Sequence, residues 1–472
     1  MRYGQKKIPP AFYLLVFAYL SYCLLFTPNF FVSIPIALFP MIIFRLLWVD
    51  GTPNIVFWGM MMQWLPITVH LFYCNIVQIT LMEYFSNTVL PTEFINLAVL
   101  LSAIGLLFFS LGIFYALRKY KPKEPIAQSA DAYSTIKIIR LYAIVSFIVL
   151  SSSALIWSLG SFTQYVFYFF YIKWGFFLIA FYFAHKMGKE SAKFLYLIIA
   201  VEFILGLVSY FASAFLFVVF FSALGLIALR PKLTVKSYFF LLLAGACVFH
   251  LSVLWTSIKG DYRGFISQGV VGAQAATTGV GESLSKMQDL LSTVDNAKYN
   301  EAIYTTIDRA GCIQLFSATL SYVPAVIPHE NGKIYMEAVQ HYLVPRFLNP
   351  NKAVLDDSKH TNQYTGLSFT TAEGGASFSL GYIADAYIDF GPVYMFPLLF
   401  VFGYLFGITY KYLYDKSPNE VWSWILTGPY FLLLNINGAD TKKALGPLLI
   451  YFLTVAILRK QMIKRVDPLM RK

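Results

Sequence analysis

Charge is what this chain has least of. Only 13% of its 472 residues are Asp, Glu, Lys or Arg, against roughly 25% in a soluble domain, which excludes an ordinary water-soluble fold. Cysteine is scarce too. Cys23, Cys74, Cys247 and Cys312 lie far apart, three of them in apolar runs, so neither a disulfide framework nor a metal site is expected. The opening MRYGQKKIPPAFYLLVFAYLSYCLLF has no small-residue cleavage site and reads as a first span rather than a removable leader. The glycines of GVVGAQAATTGVGESLSK (Gly269–Lys286) follow no strand pattern, which argues against a phosphate-cradling nucleotide loop.

What is abundant is apolar length. The chain is 58% hydrophobic and 18% aromatic, with a mean hydropathy of +0.63, and its apolar runs recur at the length that crosses a bilayer as a helix, about 20 residues. They predict an all-α polytopic integral membrane protein of about 12 transmembrane helices. Spans are expected near 11–27, 31–48, 55–79, 94–117, 138–158, 162–184, 194–210, 212–229, 237–256, 391–411, 421–437 and 444–458. One large extracytoplasmic loop separates the ninth from the tenth. The chain thus divides into a nine-span region (1–256), the loop (257–389) and a three-span region with a basic tail (390–472).

The basic residues orient this arrangement. With the N-terminus inside, 24 of the 36 Lys and Arg fall at cytoplasmic ends, and the four short outer loops before the ninth span carry none, as the positive-inside rule requires. Both termini are then cytoplasmic. The loop holds nine Lys and Arg against thirteen Asp and Glu, a net −4, so the chain's +12 belongs to the cytoplasmic face. There it opposes anionic lipid headgroups, and no nucleic-acid partner is needed. Within the loop, Cys312–Pro328 has no charge and ends in prolines, as a re-entrant or interface-lying helix would. Tyr335–Pro345 is amphipathic and is expected along the outer surface.

Cations gather on the outer side. LWTSIKGDYRGF closes the ninth span with Lys259 and Arg263 four residues apart, on one face of a continuing helix. TTIDRAG supplies Arg309, VPRFLNPNK supplies Arg346 and Lys352, and NINGADTKKALG supplies Lys442 and Lys443 against the positive-inside trend. Such a set suits a lipid diphosphate, which Arg binds bidentately and Lys as a point charge; snorkelling or surface ion pairing is the plainer reading of each one taken singly. His360, in DDSKHTNQYTG, is the candidate general base, with Glu373 and Asp385 as acidic alternatives. Asp385 and Asp389 stand at helical spacing, which fits hydrogen-bonded structural carboxylates equally well. Without a histidine nearby in sequence they make a weak metal signal, and no metal or cofactor is expected. Within the spans, Lys173 and Glu202 sit near mid-depth of sequential antiparallel helices, where an ion pair acting as a structural staple is expected.

With these residues in view, the chain resembles the Wzy-type oligosaccharide repeat-unit polymerases, which build bacterial O-antigens and related polysaccharides. The similar elements are, in order, IKGDYRGF, DRAGCIQLF, ENGKIYMEAVQHYLVPRFLNPNK and SLGYIADAYIDFGPVYMFPLLFVFGYLFG, within roughly residues 255–407. VPRFLNPNK is similar to a Pro-Arg, aromatic, Pro, Lys pattern of that family, and ADAYIDFG to an acidic and aromatic stretch before a span. The Arg-x10-Gly loop motif of some polymerases is not met by Arg263, Arg309 or Arg346. The His-x7-Gly spacing of O-antigen ligases is absent as well, since His360 precedes Gly366.

The resemblance implies a glycosyltransferase acting on glycans linked to undecaprenyl diphosphate at the outer leaflet, alongside a chain-length regulator and a flippase. Arg263, Arg309, Arg346 and Lys352 would stabilise the departing diphosphate, and His360 or an acid would accept the attacking hydroxyl's proton. An O-antigen ligase shares that donor. A flippase of lipid-linked glycans is the reading from another class, but transporters tend to show paired repeats with charges in several spans. A metal-dependent lipid-linked glycosyltransferase would carry acids in its first outer loop, and none lies near Pro28–Phe31.

Overall fold

The computed structural model describes the chain apart from residues 1–2, 5, 87–90, 92, 120–122, 125, 153–158, 160–161, 188, 210–212, 230–234, 269–276, 344–348, 350–354, 371–376 and 437. Helices are the regular structure of the described residues, which contain no strand; one isolated bridge pairs Tyr133 with Arg471. Among the described residues, seven helices are long and apolar enough to cross a membrane: Phe30–Leu47, Ile55–Val77, Ile95–Leu117, Thr163–Lys186, Leu242–Ile266, Tyr382–Asp415 and Thr441–Met470. Pro10–Phe26 and Phe215–Leu229 are shorter apolar helices. Large apolar side chains stand uncovered on several of them, among them Phe17, Leu242 and Ile457. Uncovered apolar surface on this scale marks a membrane protein.

Several expected spans take another form. The 421–437 run is two short helices, Glu420–Thr427 and Tyr430–Leu433, because Gly428-Pro429 interrupts it and proline cannot continue a ladder of amide donors. Both are buried throughout, the one setting in which broken backbone is tolerated at membrane depth. Gln63 donates to the carbonyl of Leu434 at 2.8 Å and accepts from the Tyr382 hydroxyl, so the end of the second helix finds its partner inside the protein. The 194–210 run belongs to Lys189–Leu207, which carries Glu190, Lys193 and Glu202. The described part of the 138–158 run lies in the 17-residue helix Thr135–Ser151, and residues 153–158 lie outside the described residues. The ninth expected span is longer than its apolar run: Val235–Ile266 continues unbroken past Lys259 and Arg263.

The tightest pairing joins Ile95–Leu117 to Tyr382–Asp415. Glycines set its spacing. A Cβ on Gly403 would stand 1.9 Å from the Phe109 carbonyl oxygen, and one on Gly112 would stand 2.0 Å from that of Phe400. Gly403 and Gly407 form a GxxxG pair, the pattern that lets two helix backbones touch in a membrane. Elsewhere in the bundle, Lys173 Nζ lies 3.0 Å from Glu202 Oε2, both side chains buried, and Tyr142 and Ser146 donate to the other carboxylate oxygen.

Contacts sort the connecting segments into two ends. At one end Lys6 pairs with Asp50, Lys123 donates to the carbonyls of Tyr414 and Ser417, and Tyr133 donates to Asp467. At the other, Tyr84 meets Asp308, Ser317 bonds the Pro91 carbonyl, and Tyr382 N–H donates to Ala439.

Candidate functional site

The helix Tyr382–Asp415 is two helices joined across Gly391, which is left-handed at φ 69°. Pro392 follows it and has no N–H, so the Ile388 carbonyl four residues earlier loses its helical donor. Glu330 N–H takes that carbonyl at 3.0 Å, joined by the His329 ring at 3.2 Å, and Asn331 N–H takes Asp389 O at 2.9 Å. The break therefore docks the 329–332 segment. Asp389, buried, completes the attachment by accepting the N–H groups of Ile334 and Tyr335 at 3.1 and 3.0 Å. These are the first amides of the helix Lys333–Leu343, a capping arrangement. Asp389 is structural.

Asp385, one turn earlier, has a different task. It is fully buried. Thr441 N–H donates to its Oδ2 at 2.7 Å, and His360 Nε2 lies 2.8 Å from its Oδ1. Thr441 opens the helix Thr441–Met470, capped by Asp440, which accepts Lys443 N–H at 2.7 Å. His360 rides on the short helix Asp357–Thr365, capped by Asp356 and ended by Gly366 at φ 68°. Its ring stands edge-on to Tyr364 at 5.0 Å, and the Tyr364 hydroxyl donates to Glu330 at 2.8 Å.

Two cations complete the site. Lys443 Nζ is 2.5 Å from Asp357 Oδ2, and Lys442 Nζ is 3.0 Å from Glu337 Oε2. His360 feels opposed forces: burial pulls its pKa down, but the charge and hydrogen bond of Asp385, with Asp440 behind them, outweigh burial and hold it above the ordinary value. The Asp440 carboxyl is pushed up to about 6 by burial first and then by the charges of Asp385 and Asp357. The result is a partly open imidazole, its side chain 17% exposed. It is oriented by a buried carboxylate, and among the described residues its Nδ1 has no hydrogen-bond partner.

The structure thus brings together His360, Asp385, Lys442 and Lys443. Lys259 and Arg263 lie on Val235–Ile266 and Arg309 on Asn296–Ala310; these two helices pack on each other, and the latter also on Ile55–Val77. They form a second neighbourhood. Arg346, Lys352 and Glu373 lie outside the described residues. The 312–328 segment is the helix Ile313–Tyr322, buried along most of its length against Ile95–Leu117 and Asp357–Thr365. Sequence reasoning missed Asp357, Asp440, Glu330 and Thr441. Only Asp440 carried a signal, an Asp placed to cap an apolar helix, and the lysines beside it drew attention instead. Among the described residues no group of three or more His, Cys, Asp or Glu side chains is arranged to hold a metal ion.

Residues 53–411 match the family described as a domain of unknown function, DUF8712, and the chain belongs to that family. No curated protein and no solved structure matches it.

Proposed function

We propose that this chain is a glycosyltransferase, a polymerase that joins undecaprenyl-diphosphate-linked oligosaccharide repeat units into O-antigen or a similar surface polysaccharide. The observation that carries the reading is the His360–Asp385 pair at one end of the helical bundle, flanked by Lys442 and Lys443. Glycosyl transfer from a lipid diphosphate needs a proton acceptor for the incoming hydroxyl and cations for the departing diphosphate. Both are required where the substrate's lipid meets water.

In this reading Asp385 accepts a hydrogen bond from Nε2–H, which leaves Nδ1 to receive the proton of an acceptor sugar hydroxyl. That hydroxyl oxygen bonds to the donor's anomeric carbon as the bond from that carbon to the diphosphate oxygen breaks. Undecaprenyl diphosphate leaves with the electron pair. Lys442 and Lys443 exchange Glu337 and Asp357 for phosphate oxygens. Arg346 and Lys352 are the further cations of the proposed diphosphate site, while Lys259, Arg263 and Arg309 belong to the second neighbourhood. The reading requires twelve spans, 257–389 outside and both termini cytoplasmic, in a bacterial cytoplasmic membrane. The charge asymmetry and the sorting of contacts into two ends support that topology. A flippase supplies the repeats, and a chain-length regulator is the expected partner.

Deleting the gene and re-expressing the His360→Ala protein at normal levels tests the proposal. Surface polysaccharide is run on a gel and the lipid-linked pool is extracted in parallel. A core capped by a single repeat unit is expected in both strains. Long polymer held on its lipid carrier with bare core would make the protein a ligase, and repeats trapped in the cytoplasmic leaflet would make it a flippase. Normal polymer length and amount with His360→Ala would remove the proposed base.

A further inference from the structure

His70, on the helix Ile55–Val77, has no exposed surface. Its Nε2 lies 3.3 Å from Asp308 Oδ1, and the Tyr84 hydroxyl donates to the same oxygen at 2.8 Å. The ring of Phe85 packs edge-on against the imidazole at 4.9 Å. Gly311 makes room, since a Cβ there would stand 1.9 Å from His70 Cε1. A buried histidine and a tyrosine thus fix one oxygen of a half-exposed carboxylate, which leaves Oδ2 for something else. Burial pushes the Asp308 carboxyl up, but the bonds from His70 and Tyr84 outweigh it and hold the group below its usual range. It is an acceptor at neutral pH.

Asp308 lines a cavity of about 580 Å³ with Tyr73, Tyr84, Tyr304 and Glu83, a volume within the range of small-ligand pockets. Tyr73 meets Tyr84 and Tyr304 edge-to-face at 5.5 and 5.8 Å, which leaves ring faces available. Tyr304 is half exposed, and Glu83 is exposed. The cavity draws on Ile55–Val77, the short helix Leu81–Phe85 and Asn296–Ala310, none of which carries the His360 pair.

We propose that this cavity is a saccharide-binding site, in which tyrosine rings stack on the apolar C–H faces of sugar residues while Asp308 and Glu83 accept hydrogen bonds from their hydroxyls. Sugars present those two surfaces together, and a pocket of phenol rings and oriented carboxylates complements both. A cage for a quaternary ammonium uses the same residue types, but here the charge of Asp308 is already shared between two donors. The inference stands on the cavity's own chemistry and does not need His360. Taken with the proposed polymerase, it is where glycan remote from the reacting end is held.

The test applies full-length protein in detergent to an array of bacterial surface oligosaccharides. Discrete glycans are expected to bind. Binding should weaken about ten-fold or more in Tyr304→Ala, an exposed helical position, and in Asp308→Asn, while His360→Ala binds unchanged. Absence of binding above a detergent blank overturns the proposal, as does binding that Tyr304→Ala and Asp308→Asn leave intact. Displacement of glycan by millimolar tetramethylammonium would make the cavity a cation cage. Binding lost only in His360→Ala would assign the glycan to the other site. The polysaccharide phenotype of His360→Ala is a separate readout, so the two proposals fail separately.

Discussion

A carboxylate beside an imidazole changes when that imidazole can accept a proton. In the proposed reaction His360 would act as base only when neutral, and its pKa stands above the ordinary histidine value, about 6.5. Polymer formation from purified lipid-linked repeats should therefore rise with pH through an inflection above that value. Asp385→Asn removes the larger raising charge and leaves only Asp440 against burial, so the inflection moves to lower pH and the rate falls about 10²–10⁴-fold. Stability has the opposite sign. The raised pKa makes the pair's contribution full below the ordinary value and lost as pH climbs through the folded one; the wild-type Tm should decline over that window and the Asp385→Asn Tm should not. Lys173 and Glu202 offer a second residue-scale measurement. Glu202→Leu strands a buried ammonium and should cost about 3–5 kcal/mol in detergent unfolding, much of it recovered by adding Lys173→Met. The sequence exposed His360, Asp385 and this buried pair because each is an unusual residue for its setting. Asp357 and Asp440 look like any loop acids until the fold turns them toward Lys443 and His360.

Elements were legible where apolar length and helix length coincide, as in Phe30–Leu47 and Ile95–Leu117. They diverged where a short local signal cuts a long hydrophobic one. Gly428-Pro429 splits the 421–437 run, although hydropathy reads straight across it. The reverse holds for Val235–Ile266, where helical hydrogen bonding outlasts the apolar run and carries on past Lys259 and Arg263. The glycine contact between Ile95–Leu117 and Tyr382–Asp415 makes a direct prediction. Even the Cβ of Gly403→Ala meets the Phe109 carbonyl, a cost of about 1–3 kcal/mol for overpacking. Gly403→Leu should force the helices apart, and fluorescence-detected size exclusion should report lost monodisperse protein, whereas a change at lipid-facing Ile457 should leave the profile unaltered.

For the whole molecule, the distribution of Lys and Arg predicted two faces, and contacts divide the connecting segments between two ends of the bundle. Which end faces outward is open to a direct measurement. In a background with the four cysteines replaced, Glu301→Cys should react with a membrane-impermeant maleimide on intact spheroplasts and Lys460→Cys only after permeabilisation. The reverse pattern would invert the topology and remove the donor lipid from reach of His360. What no reading of composition supplies is the meeting of the 329–335, 356–366 and 438–443 segments around Tyr382–Phe390. That convergence depends on long-range packing, and only the helix break at Gly391-Pro392 marks its place in the sequence.

That break also bears on how the chain can change over time. The 329–332 segment is fastened to the site through amide groups of Glu330 and Asn331 bonded to two carbonyls freed by the break, and every amino acid except proline carries such an amide. Drift in side-chain identity at Glu330 should leave the fastening intact while altering what it presents to Tyr364. Gly391 and Pro392 have no such latitude, since one supplies the left-handed turn and the other frees the carbonyl. Variation in what the site recognises can accumulate on the fastened segment without loosening the frame that holds it.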